Sequence, residues 1–352
     1  MLLQLLPTNT PESTPSIQRG SFHGAGGTLL GMQIVNVCLT IVTLGAYHFW
    51  AKAKIRRYLF SQTAFAGDRF AYHGTGKELY QGFLKATVVF GIPYFSLGAA
   101  HSFLALPQSV DFLLQAMAAL VLFLYVPVAI VNARRYRCTR TSWRGIRFSF
   151  RGRTVDFLKL YLKGWLFTLL TLGTYYPYFQ TQRQAFLHSH TYFGNQRFQF
   201  TGHGSGLMVP FAVTLFTTYA VLCLCGLALA LQLTNAGLTL LLIPFVLGPV
   251  WVWLLGQKQK YYWDHTTFGE ARFSSSITWQ KLFGLYLGNL AFLLLTLGWA
   301  WPWVTVRNAR FFIGTLSLQG LTDLDRVLQD TTETSVTGEG LSNLLDTGFD
   351  TD

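Results

Sequence analysis

Long apolar runs alternate with short polar and aromatic segments along the chain. Seven runs approach or meet the roughly 18 uncharged residues that a helix needs to cross about 30 Å of hydrocarbon. They lie at about residues 27–50, 82–104, 112–133, 157–179, 206–231, 236–256 and 282–304. A soluble protein of 352 residues cannot bury seven such helices in its core. The pattern predicts an all-α integral membrane protein with about seven hydrophobic helices.

The apolar runs belong to an internal repeat of about 125 residues, present about two and a half times. Thr-Leu-Gly ends three of the runs, at Thr43, Thr171 and Thr296. A second pattern, Thr-x-(Phe/Trp)-x-x-x-Arg-Phe, starts at Thr63, Thr141, Thr191 and Thr266. The repeat divides the chain into a flexible lead-in (1–26), a first unit (27–146), a second unit (147–271), a partial third unit (272–320) and an acidic tail (321–352).

Each copy of the second pattern predicts a short β-hairpin-like loop at the membrane surface. β-Forming residues alternate around a turn dipeptide such as Gly67-Asp68. Basic residues cluster just before each copy, at Arg56, Arg57, Arg134, Arg135, Arg183, Lys258 and Lys260. The four loops are compatible with one small shared sheet and equally with four independent interfacial anchors.

These motifs resemble the bacterial YjgN family of multi-pass inner-membrane proteins. The resemblance rests on Thr-Leu-Gly, an aromatic-Pro-aromatic element after it, the basic helix end, and the Thr-x-Phe and Phe-x-Phe-x-Gly segments. The aromatic-Pro-aromatic element is complete around Pro177 and Pro302, whereas the first unit has His48-Phe49-Trp50. The resemblance covers about residues 20–320 and implies a location in the bacterial cytoplasmic (inner) membrane. It implies no activity, because the family has no established one.

The Thr-Leu-Gly segments leave two topologies open. If every run spans the bilayer, each unit contains three spans and successive units are inverted, as in many secondary transporters. The candidate helix-breaking positions are Gly45, Gly173, Pro177, Gly298 and Pro302. Loops 51–80 and 134–155 are more basic than loops 180–205 and 257–278, which favours this arrangement. The rival topology makes each Thr-Leu-Gly segment a re-entrant hairpin, with all four loops on one side of the membrane.

Composition and charge support a membrane protein. The chain is 51% hydrophobic and only 12% charged, with a net charge of +12. The tail contains eight of the 15 acidic residues, so the preceding segments are strongly basic. Because these bases lie within a few residues of the ends of the predicted spans, they indicate loops held on the cytoplasmic side. We therefore expect contact with the lipid bilayer, including anionic lipid, and no nucleic-acid partner.

The sequence contains no recognisable catalytic constellation, so we expect no enzymatic activity, no cofactor and no metal site. His188 and His190 lie near no acidic residue or cysteine in sequence. The candidate contacts for an anionic lipid or ligand are basic residues: Arg69, Arg147, Arg197, Arg272, Arg134 and Arg135. The first four recur at one motif position, each before a phenylalanine.

Two functions fit these features. The inverted units and broken helices favour a small-solute transporter or channel. The alternative is a non-enzymatic membrane or envelope-associated protein that binds a partner or anionic lipid through its basic aromatic loops.

Overall fold

The computed structural model describes residues 17–103, 107–232 and 234–320, and it contains short strands as well as helices. The strands follow the alternation of β-forming residues in the repeated motif. They are β1 (Gln18–Phe22), β2 (Thr63–Phe65), β3 (Asp68–Tyr72), β4 (Thr141–Trp143), β5 (Ile146–Phe150), β6 (Thr191–Phe193), β7 (Gln196–Phe200), β8 (Thr266–Phe268), β9 (Ala271–Ser275) and β10 (Leu316–Gln319).

The helices lie between these strands, where the apolar runs were found. They are α1 (Gly26–Val42), α2 (His48–Ser61), α3 (Gly76–Ala86), α4 (Ile92–Phe103), α5 (Gln108–Thr139), α6 (Thr154–Leu170), α7 (Tyr176–Ser189), α8 (Met208–Ala230), α9 (Ala236–Asp264), α10 (Trp279–Leu295) and α11 (Trp301–Gly314). A π-helical segment (Thr87–Gly91) joins α3 to α4, and a 3-10 turn (Gly204–Leu207) leads into α8.

The ten strands form one closed antiparallel barrel in the order β1-β10-β9-β8-β7-β6-β5-β4-β3-β2. Each copy of the repeated motif is one hairpin with a two-residue turn. In the first hairpin Ala66 and Gly67 have φ values of 51° and 87°, the left-handed region that such turns require. The first and last strands pair with each other, with Gln18 opposite Leu318. The two ends of the described chain therefore close the barrel.

The prediction of an all-α protein is wrong, because the repeated loops build this barrel. The hairpins are predictable from the sequence, but their closure into one barrel is not. A three-residue strand is too short to mark a sheet by itself, and the pairing between hairpins joins distant parts of the chain. Phe70, for example, lies opposite Trp143. All four hairpins lie in the same barrel, so they do not act as independent anchors.

Aromatic side chains fill the inside of the barrel. Phe70, Phe148, Phe198 and Phe273 stand on alternate strands, and the centres of successive rings are 6.4, 6.4 and 6.2 Å apart. Alternate strands in a sheet are separated by about 9.6 Å, twice the spacing of neighbours. The rings therefore converge, as side chains do only on the concave face. The motif phenylalanines point to the barrel axis and form its core with Trp143, Phe193 and Phe268.

Five helical hairpins leave the same end of the barrel and pack side by side. Each odd-numbered strand leads into the outgoing helix of a helical hairpin. The returning helix of that hairpin leads into the next, even-numbered strand. The extensive helix contacts among the described residues join neighbours in the chain, and α11 packs against α1. The helices thus continue the closed ring of strands as a closed ring of helices, in which α2, α5, α7, α9 and α11 are the returning ones.

Three of these hairpins turn at Thr-Leu-Gly, and two are longer. In each short hairpin the outgoing helix has 17 residues and ends at Thr-Leu-Gly, and a 14-residue helix returns. Gly45, Gly173 and Gly298 have φ values of 93°, 92° and 90°, which glycine adopts without strain. Pro177 and Pro302 stand in the first turn of the returning helix, where proline is favoured.

The prediction of about seven hydrophobic spanning helices is also wrong. In the described residues, four helices are long and apolar enough to cross a membrane: Gly76–Ala100, Gln108–Thr139, Gly204–Ala230 and Gly237–Asp264. The runs predicted as spans at 27–50, 157–179 and 282–304 instead bend back at Thr-Leu-Gly. The inverted arrangement of successive units does not occur either, because all the hairpins belong to one barrel and lie on one side of the helices.

We predict that Gly164→Ala destabilises the protein whereas Gly284→Ala does not. A Cβ atom on Gly164 of α6 would lie 2.0 Å from a ring carbon of Phe179, which is 1% exposed and has no room to move. Such overpacking costs roughly 1–3 kcal/mol. No atom lies within 4 Å of a Cβ built on Gly284 of α10, so alanine there gains helix propensity. Thermal unfolding of the purified protein in detergent measures both. Equal increases in Tm would contradict the close packing of α6 and α7.

Candidate functional site

The motif arginines lie on the outside of the barrel. Arg69, Arg147, Arg197 and Arg272 alternate with the inward-facing aromatics along their strands and are exposed to solvent. Each is the second residue of its strand, near the hairpin turn and away from the helices. Arg19 of β1 occupies the equivalent outer position, opposite Ser317. Arg19 stands three residues before Phe22-His23-Gly24, as Arg69 stands three residues before Tyr72-His73-Gly74, and this spacing is the sequence signal for it.

Arg134 and Arg135 are neighbours in sequence but point to different places. The Arg135 guanidinium donates a hydrogen bond to the carbonyl of Gly152, at the start of the next helical hairpin (3.0 Å). The Arg134 guanidinium donates a hydrogen bond to the hydroxyl of Thr191 (3.3 Å). Thr191 begins β6, whereas the helix of Arg134, α5, leads into β4. Thr191 lies on the aromatic, inner face of β6. Arg134 therefore reaches under the inside of the barrel, and Arg135 does not.

Arg134 is part of a group of cations on the returning helices. Arg137 lies within electrostatic range of Arg134 and Arg56, and Lys52 lies within range of Arg56 and Arg137. Lys258 of α9 lies within range of Arg183 of α7. We call these two neighbouring groups together the basic cluster: Lys52, Arg56, Arg134 and Arg137 on α2 and α5, and Arg183 and Lys258 on α7 and α9.

The basic cluster faces the inside of the helix ring. Its members come from α2, α5, α7 and α9, and an outgoing helix separates each of these from the next. Side chains from helices that are not ring neighbours approach one another only on the inner side of a ring. All members except Lys52 lie in the last two turns of the returning helices, next to the barrel and its aromatic core, and Lys52 lies further from the barrel on α2.

The cations in the basic cluster have no acidic partners within the described parts of the chain. Glu78 instead pairs with Arg140 (3.1 Å) and accepts a hydrogen bond from Tyr136, and Asp68 pairs with Arg144 at the hairpin-turn end of the barrel, away from the helices. The Nε atoms of Arg134 and Arg183 are buried and have no hydrogen-bond partner. Burial and the nearby Arg56 and Arg137 lower the pKa of Lys52. The cluster is therefore a site of uncompensated positive charge.

His188 lies beside the basic cluster, and its pKa is lowered in part by the positive charge of Arg134. It lies on α7 between the rings of Phe200 and Trp263, whose centres are 5.9 and 6.3 Å from its own. Burial, followed by the positive charge of Arg134, lowers the pKa of His188 to about 4. The imidazole is therefore neutral at pH 7. His190 instead forms a hydrogen bond between its Nδ1 atom and the backbone carbonyl of Phe186 (2.8 Å), so the two histidines do not form a metal-binding pair.

The arrangement supports binding of an anion. Within the residues that the structure describes, no group of three His, Cys, Asp or Glu side chains is placed to hold a metal ion. Guanidinium groups present several donors in a planar fork and bind phosphate or carboxylate oxygens through charge-assisted hydrogen bonds. Arg56, Arg134, Arg183 and Lys258 are recognisable in the sequence as basic helix ends, whereas Lys52 and Arg137 are not. The approach of these cations depends on the closure of the ring.

Comparison with known proteins identifies the family. A family model described as "Bacterial protein of unknown function (DUF898)" matches residues 17–344. Inner membrane protein YjgN of Escherichia coli O157:H7 is 35% identical over 130 residues, which is 37% of this chain and 30% of that protein. The proteins of the same name from Escherichia coli strain K12 and Salmonella typhimurium strain LT2 are 33% and 29% identical over the same lengths and shares. No solved structure shows a significant match.

The match covers under a third of the length of these curated relatives, whereas the family model covers most of the chain. The resemblance to YjgN and the location in the bacterial inner membrane are confirmed. The chain belongs to the DUF898 family of bacterial proteins of unknown function, whose matched relatives are the inner membrane proteins YjgN.

Proposed function

We propose that this inner-membrane protein is a non-enzymatic binding protein that holds a phosphate-bearing lipid headgroup at the basic cluster. Two groups of cations that lack an acidic partner in the described chain carry the proposal: Lys52, Arg56, Arg134 and Arg137 on α2 and α5, and Arg183 with Lys258 on α7 and α9. Two like charges about 8 Å apart repel by about 2 kcal/mol at an effective dielectric constant of about 20. An anion beside either group replaces this repulsion by attraction, and it can accept a hydrogen bond from the buried Nε donor of Arg134 or of Arg183.

The position of the basic cluster along the helices favours a lipid over a soluble anion. The cluster lies at the barrel end of the helices, where a headgroup would lie. Further from the barrel, α5 is free of charged residues until Asp111, and α9 carries none before Lys258. A lipid matches this order, with an anionic head at the cations and acyl chains along the apolar helix surfaces.

The distribution of charge also favours the cytoplasmic leaflet. The stretches of sequence that connect α4 to α5 and α8 to α9, residues 101–112 and 229–240, contain no lysine or arginine. The motif arginines and most of the basic cluster, in contrast, lie at or near the barrel. Lysine and arginine are retained on the cytoplasmic side of inner-membrane proteins. We therefore place the barrel in the cytoplasm, next to the anionic lipids of that leaflet.

The transporter hypothesis loses its main support. It rested on inverted units around a site near the middle of the bilayer, and a single barrel does not provide them. The aromatic core also fills the barrel axis next to the basic cluster. Lipid binding needs no open path along that axis.

We predict that Arg134→Gln combined with Arg183→Gln lowers the affinity for anionic phospholipid at least tenfold. Each charge-assisted hydrogen bond contributes about 1.5–3 kcal/mol, so two losses exceed the 1.4 kcal/mol of one tenfold step. The matched control, Arg69→Gln with Arg197→Gln, removes the same charge from the outside of the barrel and should bind as the wild type does. Native mass spectrometry with phosphatidylglycerol measures the bound lipid.

Three results of this experiment would contradict the proposal. Equal binding by the wild type and by the Arg134/Arg183 variant places the lipid elsewhere. Loss in the Arg69/Arg197 control alone moves the site to the outside of the barrel. If inorganic phosphate saturates the site at the same concentration as the lipid does, the ligand is a soluble anion. Uptake of phosphate into proteoliposomes would then indicate transport.

We predict that an anion at the basic cluster raises the pKa of His188. The lipid phosphate offsets the positive charge of Arg134 that holds this pKa down. Arg134→Gln should raise it as well, although only in part, because burial is the larger cause. Titration of the histidine NMR signals, with His188→Gln for assignment, measures both shifts. A pKa that is insensitive to lipid would contradict binding beside Arg134.

The same depressed pKa predicts a loss of stability in acid. An unfolded histidine has a pKa of about 6.5, so between about pH 6.5 and 4 the unfolded chain binds a proton that the folded chain does not. Stability associated with neutral His188 is therefore complete above pH 6.5 and declines as the pH falls towards 4. His188→Gln should flatten this part of the Tm profile.

A further inference from the structure

The three Thr-Leu-Gly hairpins end in apolar tips that lack a protein partner in the described structure. Leu44, Leu172 and Leu297 are 97%, 85% and 91% exposed, and each has a positive φ near 50°. The helix ends beside them are also apolar and exposed, as at Val42, Leu170 and Leu295. A leucine with positive φ at the outermost point of a turn is unfavourable in water, where asparagine or glycine serves better.

The backbone of each tip satisfies its own N–H groups. In the first hairpin the N–H of Leu44 donates to the carbonyl of Ile41 (3.1 Å), and that of Gly45 donates to Thr40 (2.7 Å). The N–H of Ala46 donates to the carbonyl of Thr43, and the N–H of Tyr47 to the Thr43 hydroxyl (3.1 and 2.9 Å). The other two turns repeat this set around Thr171 and Thr296. Internal satisfaction of these donors is what a turn in hydrocarbon requires.

The longer α8–α9 hairpin ends differently. Its turn carries Gln232, Thr234 and Asn235. The Asn235 side chain caps α9 by accepting the N–H of Leu238 (2.7 Å). A polar turn of this kind is suited to water on the far side of a bilayer.

The lengths of the hairpins agree with this contrast. A helix of 17 residues is about 25 Å long, and α1 begins only a few residues after β1 ends. The hydrocarbon layer is about 30 Å thick, so a tip at that distance from the barrel end stays within the bilayer. The helix Gly204–Ala230 has 27 residues and is about 40 Å long, which suffices to cross.

We propose that the three Thr-Leu-Gly hairpins are half-depth insertions whose leucine tips lie among the acyl chains of the bilayer. The occupant of this apolar surface is membrane lipid, continuous with the lipid around the four long helices. Thr-Leu-Gly is then a turn motif suited to the hydrocarbon layer. The threonine hydroxyl accepts a backbone N–H of the turn, the leucine contacts lipid, and the glycine adopts the positive φ at which the chain reverses. This inference is independent of headgroup binding at the basic cluster.

Cysteine accessibility tests the proposal in a chain whose native cysteines, Cys38, Cys138, Cys223 and Cys225, are replaced by alanine. Single variants Leu44→Cys, Leu172→Cys and Leu297→Cys are compared with two controls, Gln232→Cys at a long-hairpin turn and Glu270→Cys at a barrel turn. A membrane-impermeant maleimide is applied to inner-membrane vesicles of both orientations. Only variants that retain the monodisperse elution profile of the parent are scored.

We expect each tip cysteine to react at least tenfold more slowly than the controls from both sides, while each control reacts from one side only. Labelling of the tips from the side that labels Gln232→Cys would show that the hairpins cross. Rapid labelling from the side that labels Glu270→Cys would show that they lie at the surface. Either outcome overturns the proposal.

Depth-dependent quenching provides a second measurement on the same variants. A bimane attached at the tip cysteine should be quenched more by a nitroxide at carbon 12 of the acyl chain than by one at carbon 5. Stronger quenching by the shallow label would overturn the proposed depth. A tip that reacts slowly because protein shields it, and not because it lies in the bilayer, would be quenched by neither nitroxide. That result would also overturn the proposal.

Discussion

Pairing of backbone groups around the closed barrel is the constraint on which the rest of the structure depends. Strands of three to five residues cannot form a stable sheet in pairs, and an open sheet of ten would leave two unpaired edges. Pairing of β1 with β10 removes both edges. Each helical hairpin is attached at both ends to neighbouring strands, so the order of strands also fixes the order of helices around the ring.

The different widths of strands and helices explain why cations gather beneath the barrel. Neighbouring strands are about 4.8 Å apart, whereas packed helices are about 8–10 Å apart. The ten arms of the five helical hairpins, with α3 and α4 forming one arm, therefore do not fit in a single ring of the barrel's radius and must splay or stagger. Arg137 of α5 lies within electrostatic range of Arg56 of α2, so these two returning helices approach each other past the outgoing helix between them. Their basic ends, which look like ordinary membrane-surface anchors in sequence, are thereby directed towards one another.

Local chemistry made part of this architecture predictable. Alternation around Gly67 and the spacing of Arg69 and Phe70 were sufficient to predict hairpins, and the apolar runs were sufficient to predict a membrane protein. The barrel was not predictable, because its pairings join residues as distant as Phe70 and Trp143. The direction of the chain after Gly45 was not predictable either, since a kinked spanning helix and a hairpin both need a glycine there. At the site, Arg134 and Arg135 were selected together, but only Arg134 faces inwards.

Closure by the two ends of the described chain has a consequence for biosynthesis. A ribosome makes β1 first and β10 roughly 300 residues later, so one edge of β1 lacks its partner until nearly the whole chain has emerged. The tight hairpins and the strands that flank each helical hairpin can pair as they are made, which extends the sheet in a fixed direction. The unpaired edge of β1 and the unpaired edge of the most recently made strand are both sites at which a strand of another molecule could pair. Truncation before Leu316 therefore leaves two open edges and turns a protein without a sheet edge into one prone to self-association.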